Sequence, residues 1–235
     1  MDGRLLNNRQ EIPPLPTLEP LPTAAERAAA LIREYIFEGK FLPNTPLPEV
    51  SIATALQVSR NTVREAYRTL MNEHLLTYHP HRGVTVRALR ESDVRDIYAL
   101  RRLLELPAID LVASGASVLD TAALDEAVAA ARRAAGDGNW REVGTANLLF
   151  HAAIVATHRS ERTDEFFRRL MTELRLGFLA VSSPAEFHGG FLARNVELHD
   201  LLAAGRYEQA RAALERYLHD AEDPVIAAVG PDAGQ

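Results

Sequence analysis

Hydrogen-bond donors are concentrated at the start of one predicted helix in the first third of the chain. Arg60, Arg64 and Arg68 follow one another at intervals of four, and Asn61 and Thr62 lie in the first turn. Residues four apart share a face of a helix, so guanidinium, amide and hydroxyl groups would be presented together. Arginine donates paired hydrogen bonds to the two acceptors on the edge of guanine. These residues are therefore candidates for contacts with base edges, because a helix enters the major groove of DNA with its N-terminal end.

The opposite face of the same helix is apolar. Its hydrophobic residues recur at the spacing of one buried helical stripe, and they are Val63, Ala66, Tyr67, Leu70 and Met71. Ser59 precedes the helix and is a good N-cap, since its hydroxyl can accept a hydrogen bond from the first turn. Charged residues are mostly exposed to solvent in any helix, so a charged face alone does not indicate DNA binding. The flanking sequence distinguishes the two interpretations.

The flanking sequence favours DNA binding. Upstream, residues 47–56 suit a short helix, and residues 57–59 link it tightly to the next one, as in a helix-turn-helix. Downstream, residues 75–79 and 84–87 are two short β runs around a turn at residues 80–83, which indicates a wing. We therefore predict a winged helix-turn-helix.

Three stretches of this region resemble the GntR family of regulators, in its FadR-like branch with an all-helical, FCD-type effector domain. They are GKFLPNTPLPE (Gly39–Glu49), VSRNTVREAYRTL (Val58–Leu70) and PHRGVTV (Pro80–Val86). The resemblance implies a winged-helix domain at residues 23–90 that binds a double-stranded DNA operator. The expected contacts are phosphate for Ser59, base edges for Arg60, Asn61, Thr62 and Arg64, and the minor groove for Arg82 and Gly83 at the wing tip.

The charge of the chain is divided unevenly. The 235 residues carry a net charge of −6, but residues 1–90 hold 11 basic and 9 acidic side chains, a balance of +2, and the remainder holds 15 basic and 23 acidic ones, a balance of −8. A weakly basic head on an acidic body is expected of a protein that touches phosphate with one end only. The absence of cysteine excludes disulfides, thiolate metal sites and cysteine nucleophiles.

The remaining segments are assigned by composition and capping. Prolines dominate residues 1–22, which we interpret as a flexible arm, and Thr23 with Glu26 forms a capping box at the start of the winged-helix domain. Residues 91–223 are predicted to form a helical domain, and residues 224–235 a loose tail. No apolar stretch is long enough to span a membrane and no signal peptide is recognised, so we expect a cytoplasmic protein without a membrane partner.

The second domain is predicted to be entirely helical. Ser92 is placed as the N-cap of its first helix, which runs to about residue 113. Five further helices are predicted, at residues 120–135, 140–157, 163–181, 190–204 and 207–221. Six helices of this length form an antiparallel bundle. The expected fold class is mainly α, with an N-terminal winged helix-turn-helix followed by an all-α bundle.

The resemblance to the FadR-like branch extends, on fewer residues, from residue 92 to residue 221. The residues that carry it are Arg101, Leu104–Glu105, Phe150–His151, Gly205 and Ala210. It implies that the bundle binds a small-molecule effector at its centre and joins two copies of the chain into a homodimer.

Arg101 is the first candidate for effector binding, because it lies inside the apolar stripe of its helix. A charge at such a position needs a partner. Two partners are considered: Glu105, one turn further along, and the carboxylate of an effector bound through both arms of the guanidinium.

Polar residues on later helices are expected to point towards the same centre, and they are Asn147, His151, Asn195, His199 and Tyr217. In the resembled domains, an acid and three histidines hold a divalent metal. Here the aligned positions carry two amides, one imidazole and a phenol, which are weak ligands for a transition metal apart from the imidazole. We expect no cofactor and a metal-free polar pocket, with zinc or nickel as an alternative if His199 replaces a missing histidine.

Enzyme motifs are not found: the chain lacks HExxH, a P-loop, GxSxG and a glycine-rich dinucleotide loop. We therefore do not expect an enzyme. The favoured function is a ligand-responsive, homodimeric transcription regulator whose effector is a small organic acid or acyl compound. Two alternatives stay open, a helical metal-dependent hydrolase with a DNA-binding head and an architectural DNA-binding protein whose bundle only dimerises.

Overall fold

The computed structural model describes residues 22–231, and most of them lie in helices. The N-terminal part contains α1 (Ala24–Phe37), α2 (Glu49–Leu56), α3 (Arg60–Asn72), β1 (Leu76–His79) and β2 (Gly83–Val86). The C-terminal part contains α4 (Glu91–Ala113), α5 (Thr121–Gly136), α6 (Trp140–Val155), α7 (Glu161–Ala180), α8 (Pro184–Ala203) and α9 (Tyr207–Val229), with a short 3-10 turn (Ala156–His158) after α6. The predicted fold class, a winged helix-turn-helix followed by a helical bundle, is confirmed.

Local turn chemistry and one buried hydrogen bond hold the helix-turn-helix. Gln57 ends α2 in the left-handed conformation, and Ser59 caps α3 by accepting a hydrogen bond from the main-chain nitrogen of Thr62 at 3.0 Å. The apolar stripe of α3 is buried apart from Met71, which is partly exposed, and α1 and α2 pack on this helix. The hydroxyl of Tyr67 donates to the main-chain oxygen of Leu47 at 2.9 Å, which ties α3 to the chain before α2.

The wing is a two-stranded antiparallel sheet. Leu76 pairs with Val86 and His79 with Gly83, so the turn lies between the last pair. His81 and Gly83 both have positive φ, 67° and 78°. A Cβ on Gly83 would meet nothing within 4 Å, so its conformation and not crowding is the reason for a glycine at the wing tip.

The helical domain is built from packed pairs of helices. Helix α4 packs against α9, α5 packs against α6, and α8 lies against α5, α6 and α9. The core between them is apolar and includes Tyr98, Ile109, Phe150, Phe167, Leu174 and Leu214. Within the described residues, no helix has the length and apolar character that crossing a membrane requires.

Two predicted helix starts in this domain are wrong. The N-cap of α4 is Arg90 and not Ser92, since the main-chain nitrogen of Arg90 donates to the carboxylate of Asp93 at 2.9 Å and Ser92 lies inside the first turn. Helix α8 begins at Pro184 instead of residue 190, because proline fits the first turn of a helix, where no main-chain donor is needed.

The predicted tail from residue 224 is also wrong, since α9 continues to Val229. Val225 is fully buried, and the missing side chain of Gly177 gives it room against α7. This apolar burial extends the helix through Pro224, although proline removes one helical hydrogen bond. The predicted arm, apart from Pro22, and the last four residues lie outside the described residues.

Helix α7 and the segment after the wing connect the two domains. The guanidinium of Arg175 in α7 donates through Nε to the main-chain oxygen of Phe37, at the end of α1, over 2.7 Å. Arg87, which follows β2, lies 2.6 Å from a carboxylate oxygen of Asp93 and 3.6 Å from one of Glu173. Charged and polar contacts to α4 and α7 therefore help to set the orientation of the winged helix on the bundle.

Candidate nucleic-acid interface and buried polar cluster

The candidate base-contacting side chains lie together at the start of α3. Arg60, Asn61 and Arg64 are exposed, and Thr62 is partly exposed. Capping by Ser59 fixes where the helix starts, and burial of the apolar stripe turns these four side chains outwards. Their contacts with DNA stay predictions, but the donors face solvent, as a helix that enters a groove requires.

The hydroxyl of Ser59 is already engaged within the protein. Its oxygen caps α3 and lies 2.8 Å from the hydroxyl oxygen of Thr62, and either of these hydroxyls can be the donor. When Thr62 donates, the proton of Ser59 stays free for an acceptor outside the protein. The predicted contact between Ser59 and a phosphate is compatible with the cap under that arrangement.

A carboxylate from α2 holds the arginines of α3, which sequence reasoning missed. Both carboxylate oxygens of Glu49 accept from Nε of Arg64, at 3.0 and 2.9 Å, and one lies 3.6 Å from Nη2 of Arg60. The hydrogen bond from Arg64 is the largest of the effects that lower the pKa of Glu49 below its usual value. Glu49 precedes Arg64 by 15 residues, so the pair exists only because the helix-turn-helix brings α2 beside α3.

The wing tip presents Arg82 to solvent beside Gly83. The positive φ of Gly83 closes the turn that places Arg82 at the end of the wing. An exposed arginine at the end of a narrow two-stranded ribbon is suited to the minor groove, and this contact also stays a prediction.

Three charged or polar side chains meet in the interior of the bundle. Nε of Arg101 donates to one carboxylate oxygen of Glu105 at 2.7 Å, and Nδ1 of His151 lies 2.6 Å from the other oxygen. All three side chains are buried, with at most 1% of any of them exposed. Glu105 is thus the partner of Arg101 within the protein, and its contact with His151 on α6 was not predicted from the sequence.

The protonation states in this cluster follow from burial and charge. Burial by itself would raise the pKa of Glu105, but the charge of Arg101 and the contact with His151 outweigh it, so the pKa is lowered. The pKa of His151 is lowered, first by burial, and Arg101 adds to the effect. A neutral His151 donates its Nδ1 proton to the carboxylate of Glu105. Its Nε2 is then left as an acceptor.

Asn147 and Tyr217 extend the cluster towards α9. The amide nitrogen of Asn147 donates to the phenol oxygen of Tyr217 at 2.5 Å, and the ring of Tyr217 lies 4.8 Å from the ring of His151. Burial raises the pKa of Tyr217 to about 12, so the phenol is neutral. Asn195 is buried on α8, which packs against both α6 and α9.

Five buried polar atoms on α4, α6 and α8 have no hydrogen-bond partner among the described residues. They are Oη of Tyr98, Nη2 of Arg101, Oδ1 of Asn147, Nε2 of His151 and Oδ1 of Asn195. Buried polar atoms are normally hydrogen-bonded, to protein, water or ligand. Helix α6 packs against both α4 and α8, and a concentration of unpartnered atoms on such neighbouring helices is expected where a polar ligand binds. Tyr98 was missed in the sequence, although it lies one turn before Arg101.

His199 does not join this cluster. Its Nε2 lies 2.6 Å from Asp125 of α5 and its Nδ1 lies 2.9 Å from Asp200, so both ring nitrogens are occupied by carboxylates. Four residues along a helix add a rotation of roughly 40° beyond one full turn. That rotation carries His199 from the inner face, where Asn195 lies, to the flank that faces α5.

The cluster does not fit a divalent metal. The positions that the sequence resemblance aligns with metal ligands are expected to be Asn147, His151, Asn195 and Tyr217. One imidazole, two amides and a neutral phenol are a poor donor set for zinc or nickel, which bind imidazole and anionic ligands best. His199, the proposed replacement, has both of its nitrogens engaged elsewhere.

A surface cavity reaches the edge of the cluster. It has a volume of about 280 Å³, lies between α8 and α9, and is lined by residues that include Leu198, Tyr217, Arg194 and Arg216. Tyr217 belongs both to this lining and to the buried cluster, so it lies between the cavity and His151.

Comparison with known families assigns both domains. Residues 24–86 match the family described as bacterial regulatory proteins of the gntR family, and residues 96–220 match the FCD domain. A curated relative, the uncharacterised HTH-type transcriptional regulator YdhC of Bacillus subtilis (strain 168), is 30% identical over 53% of this chain and 56% of its own length. The Nta operon transcriptional regulator of Aminobacter aminovorans is 28% identical over 57% of this chain and 64% of its own length. The matches thus span between half and two thirds of these relatives.

Solved structures support the same assignment over more of the chain. A structural-genomics crystal structure of a GntR protein from Rhodococcus sp. RHA1 is 37% identical, with a TM-score of 0.81, over 87% of this chain and 98% of that one. Escherichia coli McbR/YncC, 21% identical with a TM-score of 0.74 over 88% of this chain and 99% of that one, shows the same fold. Since the FCD match alone covers more than half of the chain, and the gntR match covers the DNA-binding head before it, this chain belongs to the GntR family of bacterial transcription regulators, in the branch that carries an FCD domain.

Proposed function

We propose that this chain acts as a homodimeric regulator that binds a specific operator through α3 and responds to a small hydroxylated acid bound among α4, α6, α8 and α9. The observation that carries the proposal is the set of five unpartnered buried polar atoms on these helices. These atoms lie in the helical domain. That domain is joined to the winged-helix domain, in which helix α3 presents exposed arginine and amide donors.

The chemistry of the unpartnered atoms narrows the class of effector. Nη2 of Arg101 is a charged donor, while Oδ1 of Asn147, Nε2 of His151 and Oδ1 of Asn195 are acceptors. A complementary ligand offers a carboxylate to Arg101 and hydroxyl protons to the acceptors. A hydroxylated organic acid meets both requirements, whereas a simple acyl compound lacks the donors.

The cavity between α8 and α9 supplies a route to this site. Its lining carries Arg194 and Arg216 together with Glu197 and Asp220, which suits a polar solute, and Tyr217 separates the cavity from the cluster. Arg194 is held by Asp220 at 2.8 Å across the same two helices. We infer that movement of Tyr217 admits the effector.

The effector would act on DNA binding through the contacts between the domains. Helix α6, which carries His151, packs against α7, and α7 holds the end of α1 through Arg175 and Phe37. A small rotation of α7 would change the spacing of the two heads in the dimer, and half-sites on DNA must match that spacing. The effector thereby alters operator affinity without touching α3.

The weak positive charge of a single DNA-binding domain favours a homodimer. A net charge of +2 on the first 90 residues allows few phosphate contacts, and two linked heads raise the effective affinity without any new type of contact. In this proposal the helical domain holds the two copies together, and sedimentation of the full chain at micromolar concentration should give the dimer mass. A monomer that binds the operator with full affinity would contradict it.

The two rival functions are less well supported. A metal-dependent hydrolase needs a better donor set than Asn147, His151, Asn195 and Tyr217 provide. An architectural protein needs no unpartnered polar atoms in its core, and each such atom reduces stability.

Effector class and site are tested together by measuring operator affinity with matched acids. A duplex selected from a random library by the full-length protein serves as the operator, and fluorescence anisotropy measures its affinity. Lactate is compared with propionate, and gluconate with hexanoate, so that only the first acid of each pair carries hydroxyl groups. We expect a response to the hydroxylated member of a pair only. Arg101→Met and His151→Phe should each weaken the response roughly tenfold or more, as for loss of a hydrogen bond to a charged or buried group, without weakening effector-free operator binding.

The control for this experiment is His199→Ala, which should respond as the wild type because His199 lies outside the cluster. Equal responses to both members of a pair would contradict the hydroxyl requirement. An unaltered response of Arg101→Met would contradict the site itself.

The metal-free character of the site is tested with a chelator. A metal that binds only the folded state raises the melting temperature by mass action, so its removal lowers it. We expect chelator treatment to leave the melting temperature and operator affinity unchanged. A fall that zinc or nickel restores would contradict the proposal.

A further inference from the structure

Glu49 contacts Arg64 in an unusual way for an arginine with a carboxylate. Both of its carboxylate oxygens accept from the single Nε of Arg64, at 3.0 and 2.9 Å. Neither oxygen accepts from the terminal nitrogens Nη1 and Nη2 of Arg64. Glu49 is the first residue of α2, and its side chain is 28% exposed. The contact therefore lies at the surface of the head, where α2 and α3 meet.

This geometry leaves the outer edge of the guanidinium free. Within residues 22–231, neither terminal nitrogen of Arg64 donates a hydrogen bond, and half of its side chain is exposed. In the end-on geometry of a bidentate contact, these two terminal nitrogens are the donors to O6 and N7 of guanine. Glu49 thus restrains the side chain through Nε, while the two terminal nitrogens are left without a partner among the described residues.

We propose that Glu49 is a positioning residue that orients Arg64 for guanine and thereby determines operator specificity. The inference rests on the proposed contact of Arg64 with a base. An arginine side chain has many rotamers, and restraining them before binding lowers the entropy lost in the complex. Without Glu49, Arg64 would reach phosphates and bases alike.

A second effect of Glu49 acts in the same direction. Its carboxylate is partly exposed at the surface that faces DNA, where it repels phosphate. It also lies 3.6 Å from Nη2 of Arg60. Glu49 therefore weakens complexes in which the arginines contact only phosphate, which adds to the preference for the correct site.

The opposite role for this residue would be a mask that DNA must displace from Arg64. A carboxylate that blocks DNA would be expected to bind the two terminal nitrogens of Arg64, since these are the donors available to a base. Bonding through Nε alone favours positioning, and the following experiment distinguishes the two roles.

The test measures discrimination at one base pair with the full-length protein. A duplex selected from a random library is varied one base pair at a time, and Arg64→Ala identifies the pair that Arg64 reads. Glu49→Ala should lose discrimination at that same pair, roughly 5- to 150-fold as for one bidentate base contact, while affinity for random duplex stays equal or rises. Glu49→Gln, which keeps one acceptor oxygen and the shape of the side chain, should lose less.

Two controls separate positioning from other effects. Glu65→Ala removes the same charge from the exposed surface of α3 and releases the amide of Asn61, which donates to Glu65 at 3.5 Å, but it leaves Arg64 held by Glu49, so discrimination at the pair that Arg64 reads should be preserved. In an Arg64→Ala background, Glu49→Ala should change discrimination no further. Melting temperatures of all variants confirm folding.

Each outcome assigns a role. If Glu49→Ala raises affinity for the selected duplex and keeps discrimination, Glu49 is a mask and the inference is wrong. If Arg64→Ala weakens every duplex equally, the proposed base contact of Arg64 fails first. If Arg64→Ala abolishes discrimination and Glu49→Ala does not, only the inference about Glu49 fails.

Discussion

The guanidinium of Arg175 donates through Nε to the main-chain oxygen of Phe37, the last residue of α1, at 2.7 Å. This bond joins the FCD domain to the winged helix at a point where 1% of Arg175 is exposed. Burial lowers the pKa of Arg175 to about 10. The partly negative end of α1 is a suitable partner for this cation, because carbonyl groups at the end of a helix lack partners within the helix.

Arg175→Met is expected to weaken the attachment of the winged-helix domain to the FCD domain. Loss of a hydrogen bond from a charged donor should lower the free energy of unfolding by about 1–3 kcal/mol. It should also reduce the effect of the effector on operator affinity, while effector binding itself is unchanged. Urea unfolding, calorimetry with the effector and anisotropy with the operator measure the three quantities.

The matched control is Arg169→Met on the same helix, where an exposed arginine pairs with Glu165. Such pairs contribute little, so its stability should stay within about 0.5 kcal/mol of the wild type. If the effector changes the operator affinity of Arg175→Met as much as that of the wild type, the contact with Phe37 does not couple the domains.

Gly144 in α6 should not tolerate a side chain. A Cβ at this position would lie 2.7 Å from Nη1 of Arg175 and 2.8 Å from two ring atoms of His188. Gly144→Ala should therefore lower the free energy of unfolding by about 1–3 kcal/mol, the usual cost of overpacking. Gly189→Ala is the control, because its Cβ would make only ordinary contacts with Trp140 and alanine favours helix. Denaturant unfolding of the two variants compares them, and equal stability would contradict the prediction.

Glu105→Gln should leave Arg101 buried without its anion. Breaking one partner of a buried pair costs about 3–5 kcal/mol, and thermal unfolding measures the loss. Glu126→Gln, in an exposed pair with Arg133, should change stability by less than about 0.5 kcal/mol. The double variant Arg101→Met with Glu105→Gln should recover part of the loss. No recovery would indicate that Glu105 stabilises the fold mainly through His151.

His188 should make the protein less stable as the pH falls. Burial first, and then the charge of Arg175, lower its pKa to about 4 from an ordinary value of 6.5. Between these values the unfolded state binds more protons than the folded state, so stability declines as the pH falls from 6.5 towards 4. At about 1.4 kcal/mol per pKa unit the decline from this residue is at most about 3 kcal/mol. Stability curves of His188→Gln should be flatter over this range.

The control for this pH dependence is the same change at an exposed histidine, His219→Gln, which leaves His188 buried, so the decline between pH 6.5 and 4 should remain. Glu173 contributes with the opposite sign, because burial raises its pKa to about 7, and its contribution is fully present below 4.5 and lost as the pH rises through 7. A His188→Gln curve parallel to the wild type between pH 4 and 6.5 would contradict the assignment.

Features that depend on neighbours in the chain were predictable from the sequence. The capping box of Thr23 and Glu26, the N-cap of Ser59 and the glycine at the wing tip each involve groups within a few residues. The apolar stripe of α3 follows from helical geometry alone. These local rules, with the resemblance to GntR regulators, were sufficient for the fold class and for the face of α3 that carries the donors.

Local rules also failed where packing decides. Helix α9 passes through Pro224 because Val225 is buried against Gly177, which local propensity does not reveal. The rotation between Asn195 and His199 is small, yet it moves the imidazole from the bundle centre to the carboxylate of Asp125 on α5.

The sequence by itself determined which residues carry donors, acceptors and charge, and on helix α3 it also determined the face on which they lie. Only the tertiary structure decided their partners, because Glu105 and His151 are 46 residues apart and Glu49 and Arg64 are 15 residues apart. Nothing in helical periodicity selects one distant carboxylate over another. That choice is made by the packing of α4 on α6 and of α2 on α3, where burial removes water as the competing partner and leaves hydrogen bonds between the side chains that meet.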